Sequence, residues 1–395
     1  MKRHVGILIV LTILPSACQP DERSAVAGWE GQIDSLPGGG VSVHNTGHGI
    51  WPDSGEWRLV EDLRVGSIDA EGPENFGRIV SMTIDGRGRF WVLDGQASEL
   101  RVFSATGDYV RTVGRAGGGP GEFRQPVRVD EGPDANMWVM DPQNTRLSVF
   151  DSAGAYLRGV RVPGGFVVLP WQGGFDEAGN YYAPTAEFEP EFRIALGRFD
   201  QDYNLQQTIP LPGDPVERAD FRMGSASGRV IAGVPFQGRM MWRLSAKGTV
   251  WALITDQYRL VELTATGDTL RSITKADHLI PVTDAERQEA LDGLAWFTNQ
   301  GGKIDASKIP HEKPPVDWFF LDDEGQVWVA RATTRDETIR PFDVFNPMGQ
   351  FLGTVTVPFR IQMSPAPIVR DGLLYGVVRG ELDVPYVVRA AIHKH

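Results

Sequence analysis

Residues 135–154 read Ala135-Asn136-Met137-Trp138-Val139-Met140-Asp141-Pro142-Gln143-Asn144-Thr145-Arg146-Leu147-Ser148-Val149-Phe150-Asp151-Ser152-Ala153-Gly154. A turn residue leads into an apolar run with a tryptophan near its centre. A Pro-Gln-Asn-Thr break follows, an alternating run ends at Phe150, and a second turn closes at Gly154. This is the chemistry of short strands joined by tight turns. Working outward, the first half recurs six times along the chain, each time as a Gly or Ala three residues ahead of a Trp or Tyr. The aromatics are Trp91, Trp138, Tyr182, Trp251, Trp328 and Tyr375, and their partners are Gly88, Ala135, Gly179, Gly248, Gly325 and Gly372.

The second turn recurs as Gly107, Gly154 and Gly267, and later as Gly349, so each unit holds at least two hairpins and about four strands. Successive aromatics lie 47, 44, 69, 77 and 47 residues apart, a base period near 45 with insertions in two units. Four strands in ~40–50 residues is the period of a propeller blade. A sheet this small cannot bury both faces alone, so the units must stack around an axis with the aromatics between them. After Tyr375 the chain has only Tyr386–Ile392 left, one strand short of a sixth unit, while an unpaired alternating segment, Trp57–Val65, precedes the first. The expectation is an all-β, six-bladed β-propeller closed by that N-terminal strand, with a short helical insertion before blade 5.

Composition agrees. Of 395 residues, 41% are hydrophobic and 23% charged, as in a globular protein, and 46 Gly and 27 Pro suit many turns. The formal net charge of −12 argues against nucleic acid as a partner, because phosphate binding needs clustered Lys and Arg.

The chain begins with Lys2, Arg3 and His4, an apolar stretch Val5–Leu14, and Pro15-Ser16-Ala17-Cys18. That is an export signal, too short for a permanent span. It resembles a bacterial lipoprotein signal, although Pro15 occupies the position where Leu is usual. The resemblance implies lipid attachment at Cys18, the only cysteine, and contact with membrane only through that anchor. A conventional cleavage that makes Cys18 incidental is the alternative. Either way the product is exported to the bacterial cell envelope, as a periplasmic or outer-membrane lipoprotein if Cys18 is acylated. Residues 1–18 are thus the signal, 19–54 a Gly/Pro/Ser-rich tether with a short strand at Val41-Ser42-Val43, and 55–395 the propeller.

In the second repeat, Gly119-Pro120-Gly121-Glu122-Phe123, Asn136–Asp141 and Asn144–Asp151 resemble the NHL repeat, whose pattern runs Gly-Pro-Gly-x-Phe, strand-Asp, Asn-x-Arg, strand-Phe-Asp. The first repeat follows more loosely through Gly72-Pro73-Glu74-Asn75-Phe76, Asp94 and Phe103. The whole is similar to bacterial six-bladed propeller lipoproteins of the NHL and TolB-like grouping. That resemblance implies the six-bladed fold and, for many relatives, binding without chemistry.

Candidate sites are few. The Gly117–Phe123 stretch could cradle an anion, but it lacks a following Lys-Ser or Lys-Thr and repeats an element 47 residues earlier, which favours a structural loop. Asp94, Asp141 and Glu122 are candidates for a calcium site, although residues so placed more often end a strand or cap a turn; no other cofactor is expected. The seven histidines fall in the signal, the tether, the C-terminus or beside an insertion, so no His set converges on the axis, and no Gly-x-Ser-x-Gly elbow is present. Before blade 5, Thr283-Asp284-Ala285-Glu286 predicts a capped helix with an apolar stripe of Ala290, Leu291, Leu294 and Ala295. The adjoining Trp296 and Phe297 are the candidate partner-binding residues, although burial of the stripe on the ring is the stronger expectation. The expected function is a non-catalytic binding or scaffold module for a protein, peptide or glycan. Its rivals are a metal-dependent lyase or lactonase with carboxylate ligands in the central channel, and a purely structural envelope protein.

Overall fold

The computed structural model describes residues 28–394 except 52–56, 70, 163–172, 188–192, 212, 214, 226–227 and 335–338. Cys18 lies outside the described residues. Six blades of four antiparallel strands follow one another, five as separate four-stranded sheets and blade 4 within a six-stranded one. Blade 1 comprises Ile79–Ile84, Phe90–Asp94, Glu99–Phe103 and Tyr109–Val113, and blade 2 Arg128–Glu131, Met137–Asp141, Arg146–Phe150 and Tyr156–Arg161. Blade 3 comprises Gly174–Phe175, Tyr181–Glu187, Arg193–Phe199 and Leu205–Ile209, and blade 4 Met240–Leu244, Val250–Ile254, Arg259–Leu263 and Thr269–Lys275. Blade 5 comprises Val316–Leu321, Val327–Arg331, Pro341–Phe345 and Phe351–Thr356. Blade 6 takes Ile368–Arg370, Leu373–Arg379 and Pro385–His393 from the end of the chain and Arg58–Val65 from near its start. The closing pair runs antiparallel from Arg58 opposite His393 to Val65 opposite Val387, as the unpaired segment required.

Because side chains alternate across a strand, each blade offers one apolar set to each neighbour. Six core clusters result, one at each blade interface. In blade 2, Met137 and Val139 face blade 1 while Trp138 and Met140 face blade 3. All six repeat aromatics fill the interface with the following blade: Trp91, Trp138, Tyr182, Trp251 and Trp328 in turn, and Tyr375 across the closing seam against Phe90 at 5.3 Å.

The turn ahead of the aromatic does more than reverse the chain. In blades 1, 3 and 5 an aspartate six residues upstream accepts from the ring: Trp91 Nε1 to Asp85 at 2.9 Å, Tyr182 OH to Asp176 at 3.0 Å, Trp328 Nε1 to Asp322 at 2.9 Å. The same carboxylates accept turn amides, such as Arg89 N on Asp85 and Gln326 N on Asp322. Their surroundings set opposite proton affinities. Burial pushes Asp85 up, but the donors from Trp91, Arg89 and Arg87 outweigh it and hold Asp85 below its ordinary value. Burial pushes Asp322 from 3.8 to about 6 despite its Trp328 and Gln326 donors, with Asp323 and Glu324 adding repulsion.

The segment expected as a tether departs from that reading. Gly31–Ser35 and Val41–Asn45 form a hairpin, and the second of these strands adds in parallel to the outer strand of blade 4. The glycine run is the hairpin turn, with Gly38 and Gly39 at φ 87° and 89°, and Leu36 N donates to Gly40 O at 2.7 Å. The chain then crosses blade 5, where Trp51 N donates to Leu352 O at 2.8 Å. Asn45, 2% exposed, ties the seam: its Oδ1 accepts from Trp29 Nε1 (2.8 Å) and Phe351 N (2.7 Å), and its Nδ2 donates to Thr274 O and Gly349 O (3.1 Å each).

Two outcomes follow from these contacts. Replacing Asn45 by Ala leaves the Phe351 N–H buried without a partner and lowers stability by about 2–3 kcal/mol, read from the urea midpoint. For Asp322, the protonated form favours the fold, so its contribution is present below pH 4 and lost as pH rises through about 6. The stability difference between wild type and Asp322→Asn should therefore shift in favour of wild type on going from pH 7 to pH 4.5; a flat difference would rule this out.

Candidate functional site

Since strands alternate in direction, every link from the outer strand of one blade to the inner strand of the next opens at the same end of the ring. The two longest described links, residues 210–239 and 276–315, both lie there and fold together. The first carries a hairpin, Asp220–Ser225 with Gly228–Gly233, and the second the helices Asp284–Gly293 and Ala295–Asn299 and a short pair, Ile280–Pro281 with Glu312–Lys313. The capping box is present: Glu286 N donates to Thr283 Oγ1 (3.2 Å) and Thr283 N to Glu286 Oε2 (3.0 Å).

The helical stripe is buried only in part, and on the other insertion rather than on the ring: Leu294 is buried and Leu291 partly so, while Ala295 is exposed. Leu294 and Phe297 pack with Phe221, Ala232, Val234 and Ile309 in a seventh core, giving the ring a cap. Phe297, 0% exposed, therefore belongs to that core and cannot meet a partner, whereas Trp296 is 47% exposed. The stripe was legible as apolar periodicity; its target was not, because the hairpin it meets comes from a different insertion.

The cap is latched to blade 4 by Arg218, whose guanidinium spans Asp256 at 2.6 and 3.0 Å. This pairing holds the Asp256 carboxyl below its ordinary value. Between cap and blades 4 and 5 lies a cleft of about 520 Å³. Its walls are mixed: Val234, Phe236 and Val316 are apolar, and Arg239, Thr255 and Asp317 polar. Arg239 donates to Asp317 O at 3.1 Å, and Arg340 pairs with the Asp317 carboxylate at 2.9 Å. Burial lowers the Arg340 pKa, with Arg360 and Arg239 pressing the same way, so positive charge is crowded at this mouth.

Farther in, Arg128 of blade 2 forks onto Asp130 with two bonds of 2.6 Å, and Arg243 stands on the inner strand of blade 4. The opposite mouth is stitched instead. There Glu131 accepts Gly86 N at 3.0 Å and pairs with Arg370 at 3.4 Å, and Arg370 donates to Ile84 O at 2.9 Å. None of these arginines stood out in the sequence; the available signal was a charge inside an apolar inner strand, as in Met240-Met241-Trp242-Arg243-Leu244.

The candidate calcium ligands are occupied otherwise. Asp94 accepts Gly77 N (2.8 Å), Arg78 N (3.1 Å) and Gln96 N (3.0 Å), and Asp141 accepts Arg124 N (2.8 Å), Gln125 N (3.1 Å) and Asn144 Nδ2 (2.7 Å). Glu122 accepts Gly119 N at 2.7 Å and pairs with Arg115. Each carboxylate caps the loop that enters its own blade, which spends the lone pairs a cation would need. Among the described residues, no group of three or more His, Cys, Asp and Glu is placed to hold a metal ion.

A family model described as a 6-bladed beta-propeller matches residues 74–131. Among solved structures, a Bacteroides fragilis protein provisionally named as exported is similar at TM-score 0.52 and 13% identity, over 89% of this chain and 100% of its own. A Bacteroides vulgatus protein from a family of unassigned function is similar at TM-score 0.53 and 13% identity, over 86% and 98%. Virginiamycin B lyase from Staphylococcus aureus lies farther off, at TM-score 0.43 and 10% identity over 86% and 100%. No curated protein matches the sequence. The family model and the two Bacteroides structures show the fold, a six-bladed propeller.

Because the cap has its own core, Phe297→Ala should loosen it alone. Hydrogen exchange over residues 220–233 and 284–299 should quicken by the equivalent of about 3–5 kcal/mol, while exchange in the inner strands of blades 1 and 2 stays unchanged.

Proposed function

We propose that this chain is an extracytoplasmic, non-catalytic binding module, anchored by lipid at Cys18, that holds a protein, peptide or glycan at the capped mouth of its ring. It is taken to belong with the NHL and TolB-like propeller lipoproteins of the bacterial envelope. One observation carries the reading: the two long insertions combine into a latched cap that leaves a cleft of about 520 Å³ above the inner strands. A cleft with apolar walls and a few polar groups is the usual form of a ligand site. The apolar start and Ala17-Cys18 of the sequence support export and anchoring. The exposed ring of Trp296, beside a buried Phe297, gives the cap an aromatic contact of the kind that dominates interfaces.

The rival, a lyase or lactonase with carboxylate-held metal in the channel, lacks a ligand set among the described residues.

The test uses the chain from residue 19 onward, immobilised and exposed to separated protein, peptide and polysaccharide fractions of an envelope extract. Trp296→Ser should leave the melting temperature unchanged, since an exposed substitution usually moves stability by less than about 0.5 kcal/mol. It should reduce retention of the wild-type partner about tenfold or more. Equal retention by wild type and variant would remove Trp296 from the site; no saturable retention of any fraction would sink the binding reading.

A further inference from the structure

Among the described arginines of the inner strands and the capped mouth, Arg243 and Arg239 are the exceptions; Arg239 donates to the Asp317 carbonyl instead. Arg128 has Asp130, Arg340 has Asp317, Arg218 has Asp256 and Arg370 has Glu131. Half-buried Arg243 has no carboxylate partner among the described residues. Its Nη1 donates to the carbonyl of its own neighbour Trp242 at 2.9 Å, and its guanidinium lies over the Phe319 ring, 5.8 Å from the centroid. A guanidinium has five N–H donors in a planar fork, so most of this one is unspent. Burial, then the positive charges of Arg128 and Arg239, pull its pKa down to about 10, so the fold holds a cation where a cation is disfavoured.

An uncompensated charge of this kind is costly, and an apolar residue of similar length would stabilise the ring. Its presence on an inner strand, with further positive charge nearby, fits a group that gains its partner from outside. We propose that the inner strand of blade 4 binds an oxyanion, a carboxylate or phosphate group, through the fork of Arg243, with Arg239, which directly precedes that strand, adding attraction. Guanidinium and oxyanion match in geometry and form two parallel charge-assisted bonds. The inference rests on the binding reading and specifies its ligand chemistry: the partner carries an anionic group that enters the ring.

The experiment uses the chain from residue 19 onward and its Arg243→Met variant. Each is titrated by calorimetry and by thermal melting with inorganic phosphate and, separately, with acetate, against chloride at equal ionic strength. Wild type should show saturable binding and a matching rise in melting temperature with at least one anion. The anion that binds more tightly identifies the phosphate or the carboxylate source. Arg243→Met should bind at least about tenfold more weakly. Without anion it should melt at or above the wild-type temperature, which separates loss of a site from loss of the fold. Equal affinity in the two proteins, or no saturable binding of either anion to wild type, would overturn the proposal. Partner retention with a flat anion titration would sink this inference alone, whereas anion binding without any retained partner would sink only the partner reading.

Discussion

Each blade drives one aromatic ring into the blade that follows it. This contact recurs at all six interfaces, from Trp91 between blades 1 and 2 to Tyr375 between blades 6 and 1. A four-stranded sheet has two apolar faces and no interior, so it is stable only when both faces meet a neighbour. The last interface cannot form unless the ring closes. Arg58–Val65 supplies that closure by completing blade 6, which sets Tyr375 against Phe90 and carries Leu59 and Trp57 into the core shared with blade 5. Stability is therefore spread around the circle, and the last strand, Pro385–His393, is bound to Arg58–Val65.

Ring closure also explains the use made of residues 29–51. They cross the rims of blades 4 and 5, and Asn45 spends four hydrogen bonds on joining them. A buried amide is expensive unless satisfied, and here every bond goes to a different strand or turn, so the residue specifies one arrangement of hairpin and ring. The turn aspartates work on the same principle at smaller scale. Asp85 and Asp322 occupy equivalent places and accept from equivalent tryptophans, yet burial wins at Asp322, with repulsion from Asp323 and Glu324 added, while the donors from Trp91, Arg89 and Arg87 outweigh burial at Asp85.

Functional asymmetry comes from interrupting the repeat. A regular ring would present similar mouths. Here one mouth is stitched through Glu131 and Arg370, and the other is raised into a cap with its own core. The cap is built from two insertions far apart in sequence, held by Phe297 within and by Arg218 to blade 4. The arginines below it repel one another: Arg128 and Arg239 act on Arg243, and Arg360 and Arg239 on Arg340.

The sequence by itself determined whatever depends on neighbours along the chain. Turn glycines, the aromatic three residues later, the period near 45 and the missing strand of the last unit all follow from local backbone chemistry and counting, and they led to six blades and the closing strand. The capped helix at Thr283 was legible for the same reason. Tertiary structure alone decided which surfaces meet. It turned Gly38 and Gly39 from slack into a hairpin turn, sent the helical stripe to a hairpin sixty residues away, buried Phe297 while leaving Trp296 exposed, and gathered the axial arginines. Those outcomes depend on through-space pairing between segments of unrelated sequence position, and on burial, which sets both the partner and the proton affinity of a side chain. Neither quantity is carried by residue type or spacing.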